Sequence, residues 1–247
     1  MTKQSPIIFL DGHLIEPDDD VLESLTPGHR RLRGVFETMK IEGGRVLFFK
    51  EHLTRLFKGL KALRLSHAPS AARISGIIRL ANGRHCFACA RLRLMVWQQK
   101  KRTHWAVVIV PYKLPKKKTF CVTLIKTCRL ASERLANVKS LDCGLFTRAY
   151  QQAQRQGFDE ALMVNNRGVI FEASRANVFW VKRGRLYTPP LSSGCLNGIM
   201  RQQVMKHARQ LRISFEQKNL TMKNLQEADM VFLTNSLIGI KPVKFCI

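Results

Sequence analysis

Lys139 stands in the stretch Ala136-Asn137-Val138-Lys139-Ser140-Leu141-Asp142, after a mostly apolar approach and just ahead of a helix-like segment. The chain has 42 lysines and arginines, most of them in plainly polar surroundings such as Lys116-Lys117-Lys118. A lysine whose pKa is lowered by its surroundings can form a Schiff base with a carbonyl. Three further features complement it. The junction Leu196-Asn197-Gly198-Ile199-Met200 passes from a glycine-containing loop into a helix, offering backbone N–H groups to an anion while Gly198 lets the backbone come close. Thr234-Asn235-Ser236 ends an apolar strand with hydroxyl and amide groups, a second phosphate contact. Glu172, near the end of a strand, is a carboxylate that could pair with a ring nitrogen. Each feature alone reads equally as an ordinary helix start, a solvated charge or a surface acid. Together, a phosphate cradle, a lysine and a carboxylate are what pyridoxal 5'-phosphate requires of a protein.

The elements that must position these residues follow from periodicity. Residues 7–10 and 13–15 read as short strands around a turn at Asp11-Gly12, and 34–49 as a hairpin turning at Glu42-Gly43-Gly44. Leu53, Leu56, Phe57, Leu60 and Leu63 fall on one helical face, with Arg55 off that stripe. A second helical pattern follows Pro69, with Ser70 as N-cap. Residues 90–97 alternate as a half-buried strand, and residues 105–112 form another after a basic turn. The segment 111–119 combines two prolines with a charge run and is the linker, separating a small domain (1–113) from a larger one (119–247). In the second half, hairpins turn at Asn166-Arg167-Gly168 and Arg183-Gly184, and helices cover 145–156 and the segment after Gly198.

At 247 residues with 45% hydrophobic and 24% charged residues, the chain has the composition of a globular protein with a sizeable core. It has no apolar run of eighteen residues and no secretory leader pattern, so no membrane association is expected and the cytoplasm is the expected location. The seven cysteines show no disulfide framework and are expected to be reduced thiols. His85, Cys86 and Cys89 have metal-like spacing, but no second pair completes a zinc site, and they are read as buried small residues. The net charge of +25 raises nucleic-acid binding. That reading gives no reason for Lys139, Glu172 and the glycine loop to occur together. The charge instead suits steering of a small anionic amino substrate.

In family order, the segments GVFETMKI (34–41), EHLTRL (51–56), VKSLD (138–142), FDEALMVN (158–165), EASRANVFWVKRGRLYTPP (172–190), GIMRQQV (198–204) and TNSLIGIKPV (234–243) resemble the fold-type IV pyridoxal-phosphate enzymes. That group comprises branched-chain aminotransferases, D-amino acid aminotransferases and 4-amino-4-deoxychorismate lyases. The resemblance spans nearly the whole chain. It implies an α/β fold with a small α/β domain and a larger pseudo-barrel α/β domain, working as a homodimer. It further implies that Lys139 carries the cofactor covalently and shuttles a proton, and that Glu172 binds the pyridine nitrogen. Arg55, the backbone at Ile199 and Met200, and Ser236 would hold the phosphate. Asn177 belongs to the same cofactor-binding motif.

The segment NGIMRQ and the short C-terminal end look most like aminodeoxychorismate lyase, which releases 4-aminobenzoate and pyruvate in folate biosynthesis. The alternative is an aminotransferase acting on D- or branched-chain amino acids, to which VKSLD is close. Two stretches depart from the family. Arg31, Leu32 and Arg33 stand where a glycine–aspartate pair is usual. An arginine–glycine turn that helps bind substrate carboxylate is replaced by WQQKKRTHW, in which Lys101, Arg102 or His104 could substitute.

Overall fold

The computed structural model describes residues 5–28, 32–65, 68–84, 87–127 and 135–245. The chain divides into two compact units, Met1–Leu114 with Lys139–Gly144, and Pro115–Val138 with Leu145–Ile247. The short segment that carries Lys139 therefore packs with the first unit although it follows the linker in sequence.

The first unit is built on a six-stranded antiparallel sheet of β1 (Ile7–Leu10), β2 (His13–Ile15), β3 (Arg33–Glu42), β4 (Arg45–Val46), β5 (Cys89–Gln99) and β6 (Arg102–Pro111), in the order β2-β1-β6-β5-β3-β4. Helices α1 (Asp19–Ser24), α2 (Phe49–Ala62) and α3 (Ala71–Arg84) complete it. The β1–β2 hairpin has the boundaries its sequence predicts. The hairpin after β3 does not run to residue 49: its return strand is only two residues long, because Phe48 takes a left-handed conformation that turns the chain into α2. Leu53, Leu56 and Leu60 of α2 are buried and the helix packs on β3, whereas Phe57, placed on the same stripe by its spacing, is 37% exposed at the margin. Ser70 caps α3, its hydroxyl accepting the Arg73 N–H at 3.2 Å. β5 is buried on both faces beyond residue 93, so Met95 and Trp97 are core residues as well as Leu94 and Val96. Met95 and Trp97 pack with Ile8, Leu25, Ala106, Val108 and Leu141 on the sheet face opposite α2.

The second unit holds an eight-stranded mixed sheet of β7 (Phe120–Lys126), β8 (Glu160–Val164), β9 (Ile170–Ala173), β10 (Asn177–Lys182), β11 (Arg185–Thr188), β12 (Phe215–Gln217), β13 (Met230–Asn235) and β14 (Gly239–Phe245), ordered β12-β11-β10-β13-β14-β7-β8-β9. α4 (Gly144–Arg155) lays Ala149 and Ala153 against one part of the sheet, and α5 (Ile199–Gln210) lays Met205 and Ala208 against Phe179 and Phe232. α6 (Met222–Gln226) is a single short turn with a Thr221–Asn224 capping box. The sequence's turns at Gly168 and Arg183-Gly184 are present, each with positive φ.

Among the described residues, Cys89, Cys143 and Cys195 are thiols outside any disulfide, and Cys121 is disulfide-bonded. The expectation of uniformly reduced thiols is corrected at that position. Spacing alone does not reveal which cysteines the fold brings within bonding distance. His85 and Cys86 lie outside the described residues, as does Arg31; the described residues contain no group of three metal-ligating side chains. No described helix is long and apolar enough to cross a membrane.

Candidate active site

Lys139 is placed by its backbone. The Phe36 N–H donates to the Lys139 carbonyl at 3.0 Å, the Leu141 N–H donates to the Gly34 carbonyl at 2.9 Å, and the Gly28 N–H reaches the Leu141 carbonyl at 3.2 Å. These bonds make a bridge between Val35 and Ser140. The segment lies so close to β3 that a Cβ at Gly34 would stand 2.4 Å from the Val96 carbonyl oxygen and 2.7 Å from Leu141 Cδ1. Only glycine fits there. The Lys139 amine then sits 4.2 Å from the centre of the Phe36 ring.

On the opposite side of β3, Glu37 and His52 are fully buried. Glu37 Oε1 accepts from Arg55 Nε at 2.8 Å, and Oε2 from Arg55 Nη2 at 2.6 Å, while His52 Nδ1 lies 2.6 Å from the same Oε2. Burial alone would raise the Glu37 pKa; the Arg55 charge and the hydrogen bonds from Arg55 and His52 outweigh it and hold the carboxyl below its ordinary value. Arg55 departs from the apolar stripe of α2 because it answers this internal carboxylate. Spacing predicts that Arg55 seeks an anion. It does not identify Glu37, which reads as one more position in an alternating strand.

In the second unit, four of the predicted residues converge on one loop. The Leu196 N–H donates to Glu172 Oε2 at 3.0 Å, and Asn177 Nδ2 donates to the Leu196 carbonyl at 2.8 Å. Both backbone polar groups of Leu196 are thus clamped by buried side chains of β9 and β10. Asn137 holds the same loop through the carbonyls of Leu191 and Cys195, at 3.0 and 2.6 Å. The loop leads to Gly198, the N-cap of α5, which has no side-chain cap; Ile199 and Met200 are the first residues of the helix. Arg201 follows, 1% exposed, donating to the Pro189 carbonyl at 2.9 Å and Gln217 Oε1 at 2.7 Å, and so tying α5 to the loop and to β12. Cys195 is buried beside Glu172, and burial first, then the Glu172 charge, push its thiol up to about 11.

The Thr234-Asn235-Ser236 strand end divides its roles. Asn235 Oδ1 accepts from the Leu237 and Ile238 N–H groups, both at 2.9 Å, and its amide donates to the Arg175 carbonyl at 3.0 Å, so Asn235 shapes the turn. Ser236 is half-buried in that turn. Thr234, directly cross-strand from Asn177, is 1% exposed, and its hydroxyl has no hydrogen-bond partner.

The face of the first sheet that bears Phe36 also carries Thr38, Arg93, Met95, Trp97 and His104 by strand alternation and register. Arg93 was not singled out by sequence, where it is one of two arginines in an alternating strand. Its Nη1 donates to the Leu25 carbonyl at 3.1 Å, its Nε is buried without a partner, and burial together with the like charge of Arg91 lowers its pKa to about 10. Of the three residues predicted to meet a substrate carboxylate, Lys101 and Arg102 are exposed at the β5–β6 turn. His104 is engaged instead: Nδ1 lies 2.7 Å from Asp11 Oδ2 and the ring stacks on Trp97 at 5.8 Å. Arg33, in the other departing stretch, points to the α2 side and donates to the Leu63 carbonyl at 2.7 Å.

These residues suit a phosphate-bearing cofactor. A buried hydroxyl without a partner at Thr234 is a polar atom kept for a ligand. A Cβ at Gly198 would stand 1.9 Å from Asn177 Oδ1, so the helix start can approach its neighbours only as glycine. An uncapped twelve-residue helix presents its first N–H groups to an anion.

The amino-transferase class IV family matches residues 34–246. An aminodeoxychorismate lyase of Bacillus subtilis is 25% identical over 96% of this chain and 85% of its own. A D-alanine aminotransferase of Bacillus licheniformis is 24% identical over 96% and 87%. A branched-chain aminotransferase from Thermoproteus uzoniensis, solved with norvaline, superposes with a TM-score of 0.86 at 25% identity, covering 97% of this chain and 86% of its own. With two α/β units of this topology and a family match over most of its length, the chain belongs to the class IV aminotransferases, a family of pyridoxal-phosphate-dependent enzymes of fold type IV.

Proposed function

We propose that the chain releases 4-aminobenzoate and pyruvate from 4-amino-4-deoxychorismate. The observation that carries this reading is Arg93, a half-buried arginine with a buried Nε and no carboxylate partner among the described residues, two positions along β5 from the residue opposite Phe36. On the same face, Arg102 stands beyond Phe36 in the other direction. Arg93 and, exposed at the β5–β6 turn, Arg102 put two cations on the sheet face that bears the Phe36 ring, which suits a substrate with two carboxylates. The aminotransferase reading is favoured by a different observation: a cavity of about 200 Å³ in the first unit, lined by Leu10, Ile15, Leu25, Leu32, Met95 and Trp97, would accept a branched aliphatic side chain.

Bound pyridoxal phosphate supplies a pyridinium ring that accepts the electron pair left when a bond next to the substrate amine breaks. Lys139 Nζ holds the cofactor and then takes and returns a proton; in the lyase reaction that proton comes from the substrate ring. Glu172, fixed by the Leu196 N–H, supplies the carboxylate that keeps the pyridine nitrogen protonated. The Ile199 and Met200 N–H groups, Thr234 and Ser236 would hold the phosphate, Asn177 maintains the loop, and Arg55, given to the phosphate by the family resemblance, is charge-paired with Glu37. The Phe36 ring lies against the Lys139 amine and shields one side of it from water. The homodimer expected of the family belongs to the same proposal.

The test uses purified chain loaded with pyridoxal phosphate, wild type beside Lys139→Ala. A visible absorbance band dependent on Lys139, with release of 4-aminobenzoate from 4-amino-4-deoxychorismate, supports the lyase. The same band with 2-oxo acid formation from leucine or D-alanine, and no 4-aminobenzoate, selects the aminotransferase. No Lys139-dependent band overturns both.

A further inference from the structure

The second unit carries a polar cleft of about 520 Å³ that the proposed chemistry does not use. It opens beside the β10–β11 hairpin and is lined by Lys182, Arg183, Arg185, Lys218 and Glu227 over a floor of Trp180 and Tyr187. The two rings stack at 5.2 Å with 14° between planes, Trp180 buried in the core behind half-buried Tyr187. Asn177, which belongs to the cofactor loop, begins the strand that Lys182 ends. Five residue steps of strand put about 16 Å between them, so the cleft is a separate place.

Its charges are unevenly answered. Glu227 accepts from Lys182, and that hydrogen bond, with the charges of Lys182, Lys223 and Arg183, holds its carboxyl below the ordinary value. Arg185 lies 3.6 Å from Glu216. Asp229 accepts the backbone N–H of Arg183 at 2.6 Å, not its guanidinium. Among the described residues, neither the Arg183 guanidinium nor the Lys218 amine has an ion-pair partner. Arg183 also holds φ +50 in a two-residue turn, a conformation more usual for asparagine or glycine. A volume in the range of small-ligand sites and two rim cations without an ion-pair partner among the described residues fit one ligand chemistry.

We propose that this cleft binds a phosphate-rich anion of nucleotide size, with Arg183 and Lys218 on the phosphates. An arginine fork and a lysine point charge are complementary phosphate donors. The net charge of +25 favours its approach. The phosphates could be those of a free polyphosphate or of a single-stranded RNA backbone, and the test separates them.

The experiment is titration calorimetry with inorganic tripolyphosphate on the cofactor-loaded chain, so that the phosphate site at Gly198 is filled beforehand. The expected result is one tripolyphosphate per chain, bound about tenfold more weakly by R183N/K218Q, two neutralised contacts being worth roughly that factor or more. Asparagine at 183 tolerates the positive φ, so the turn is kept. A control, K116Q/K118Q, removes the same formal charge in the linker and should bind as wild type. Absence of binding, or equal weakening by both double variants, overturns the proposal. A ten-residue oligouridylate that displaces tripolyphosphate, and weakens about sevenfold between 50 and 200 mM salt as two backbone contacts require, identifies RNA as the source. An oligonucleotide that leaves tripolyphosphate in place identifies the free anion.

Discussion

Replacing Glu37 by alanine should unfold the first unit at much lower denaturant than wild type. Glu37 is 0% exposed and receives two hydrogen bonds from Arg55 and one contact from His52, all within 2.8 Å. Alanine removes the carboxylate that the Arg55 guanidinium, whose side chain is 14% exposed, and fully buried His52 both contact within 2.8 Å. Breaking one side of a buried ion pair costs about 3–5 kcal/mol, because the remaining charge stays desolvated. Glutamine keeps one acceptor and the shape, and should cost about 1.5–3 kcal/mol, the loss of the charge-assisted part. Trp97 and Trp105 lie in the first unit, so tryptophan emission during urea titration reads the transition directly.

The pH dependence gives the prediction a second arm. The Glu37 carboxyl titrates below its ordinary value in the fold, so the unfolded chain binds its proton more readily. Stability from this group is complete above the unfolded pKa of about 4.3 and is lost as pH falls through the lower folded value. Wild-type stability should therefore drop on acidification below about pH 5 more steeply than that of Glu37→Gln, whose side chain does not titrate. A loss below about 1 kcal/mol in Glu37→Ala at neutral pH, or parallel acid profiles for wild type and Glu37→Gln, would refute the account of a charge-paired internal carboxylate.

Gly34→Ala should displace the Lys139 segment, since its new Cβ meets the Val96 carbonyl at 2.4 Å; overpacking of this kind costs about 1–3 kcal/mol, and the cofactor's Lys139-dependent absorbance band should weaken with the lowered melting temperature. Gly198→Ala should raise the dissociation constant for pyridoxal phosphate at least tenfold while leaving urea stability of the first unit unchanged, because the clash is with Asn177 in the second. Native Cys195 should resist iodoacetamide at pH 8 and react only in urea, since its thiol, pushed up to about 11 and buried, stays neutral there.

Much of the cofactor half of the site was legible because it is written in backbone geometry. Glycine at 34 and 198 marks places where two segments touch, and the helix start at Ile199 follows from loop chemistry. Glu172 and Asn177 stand out because a buried carboxylate and amide near one loop need a shared partner, here the Leu196 backbone. Glu37 escaped because a charged residue at an inward strand position looks like a misplaced surface residue until Arg55 and His52 are seen around it. The disulfide at Cys121 escaped because cysteine spacing without a recognisable framework does not assign a pairing. The return strand after β3 was overextended because Phe48 and Phe49 continue the apolar pattern, while the left-handed conformation of Phe48 ends the strand.

The substrate side is written in side chains, which explains why the family admits more than one reaction on one cofactor frame. Arg93, Phe36, Thr38 and Trp97 share one face of the first sheet, and each can be exchanged without altering a backbone bond there. Replacing Arg93 by methionine illustrates this separation. The change keeps the packing volume but removes the Nη1 hydrogen bond to the Leu25 carbonyl, so it should lower stability by no more than about 1.5–3 kcal/mol. It should also leave the cofactor's absorbance intact, since Lys139 is held through backbone groups of Phe36 and Gly34. The KM for a carboxylate substrate should rise by about tenfold or more with little change in kcat, the pattern expected when a charge holds the ground state and the transition state alike. Loss of the absorbance band in this variant would mean that Arg93 serves the cofactor, and an unchanged KM would remove the two-cation argument for a dianionic substrate.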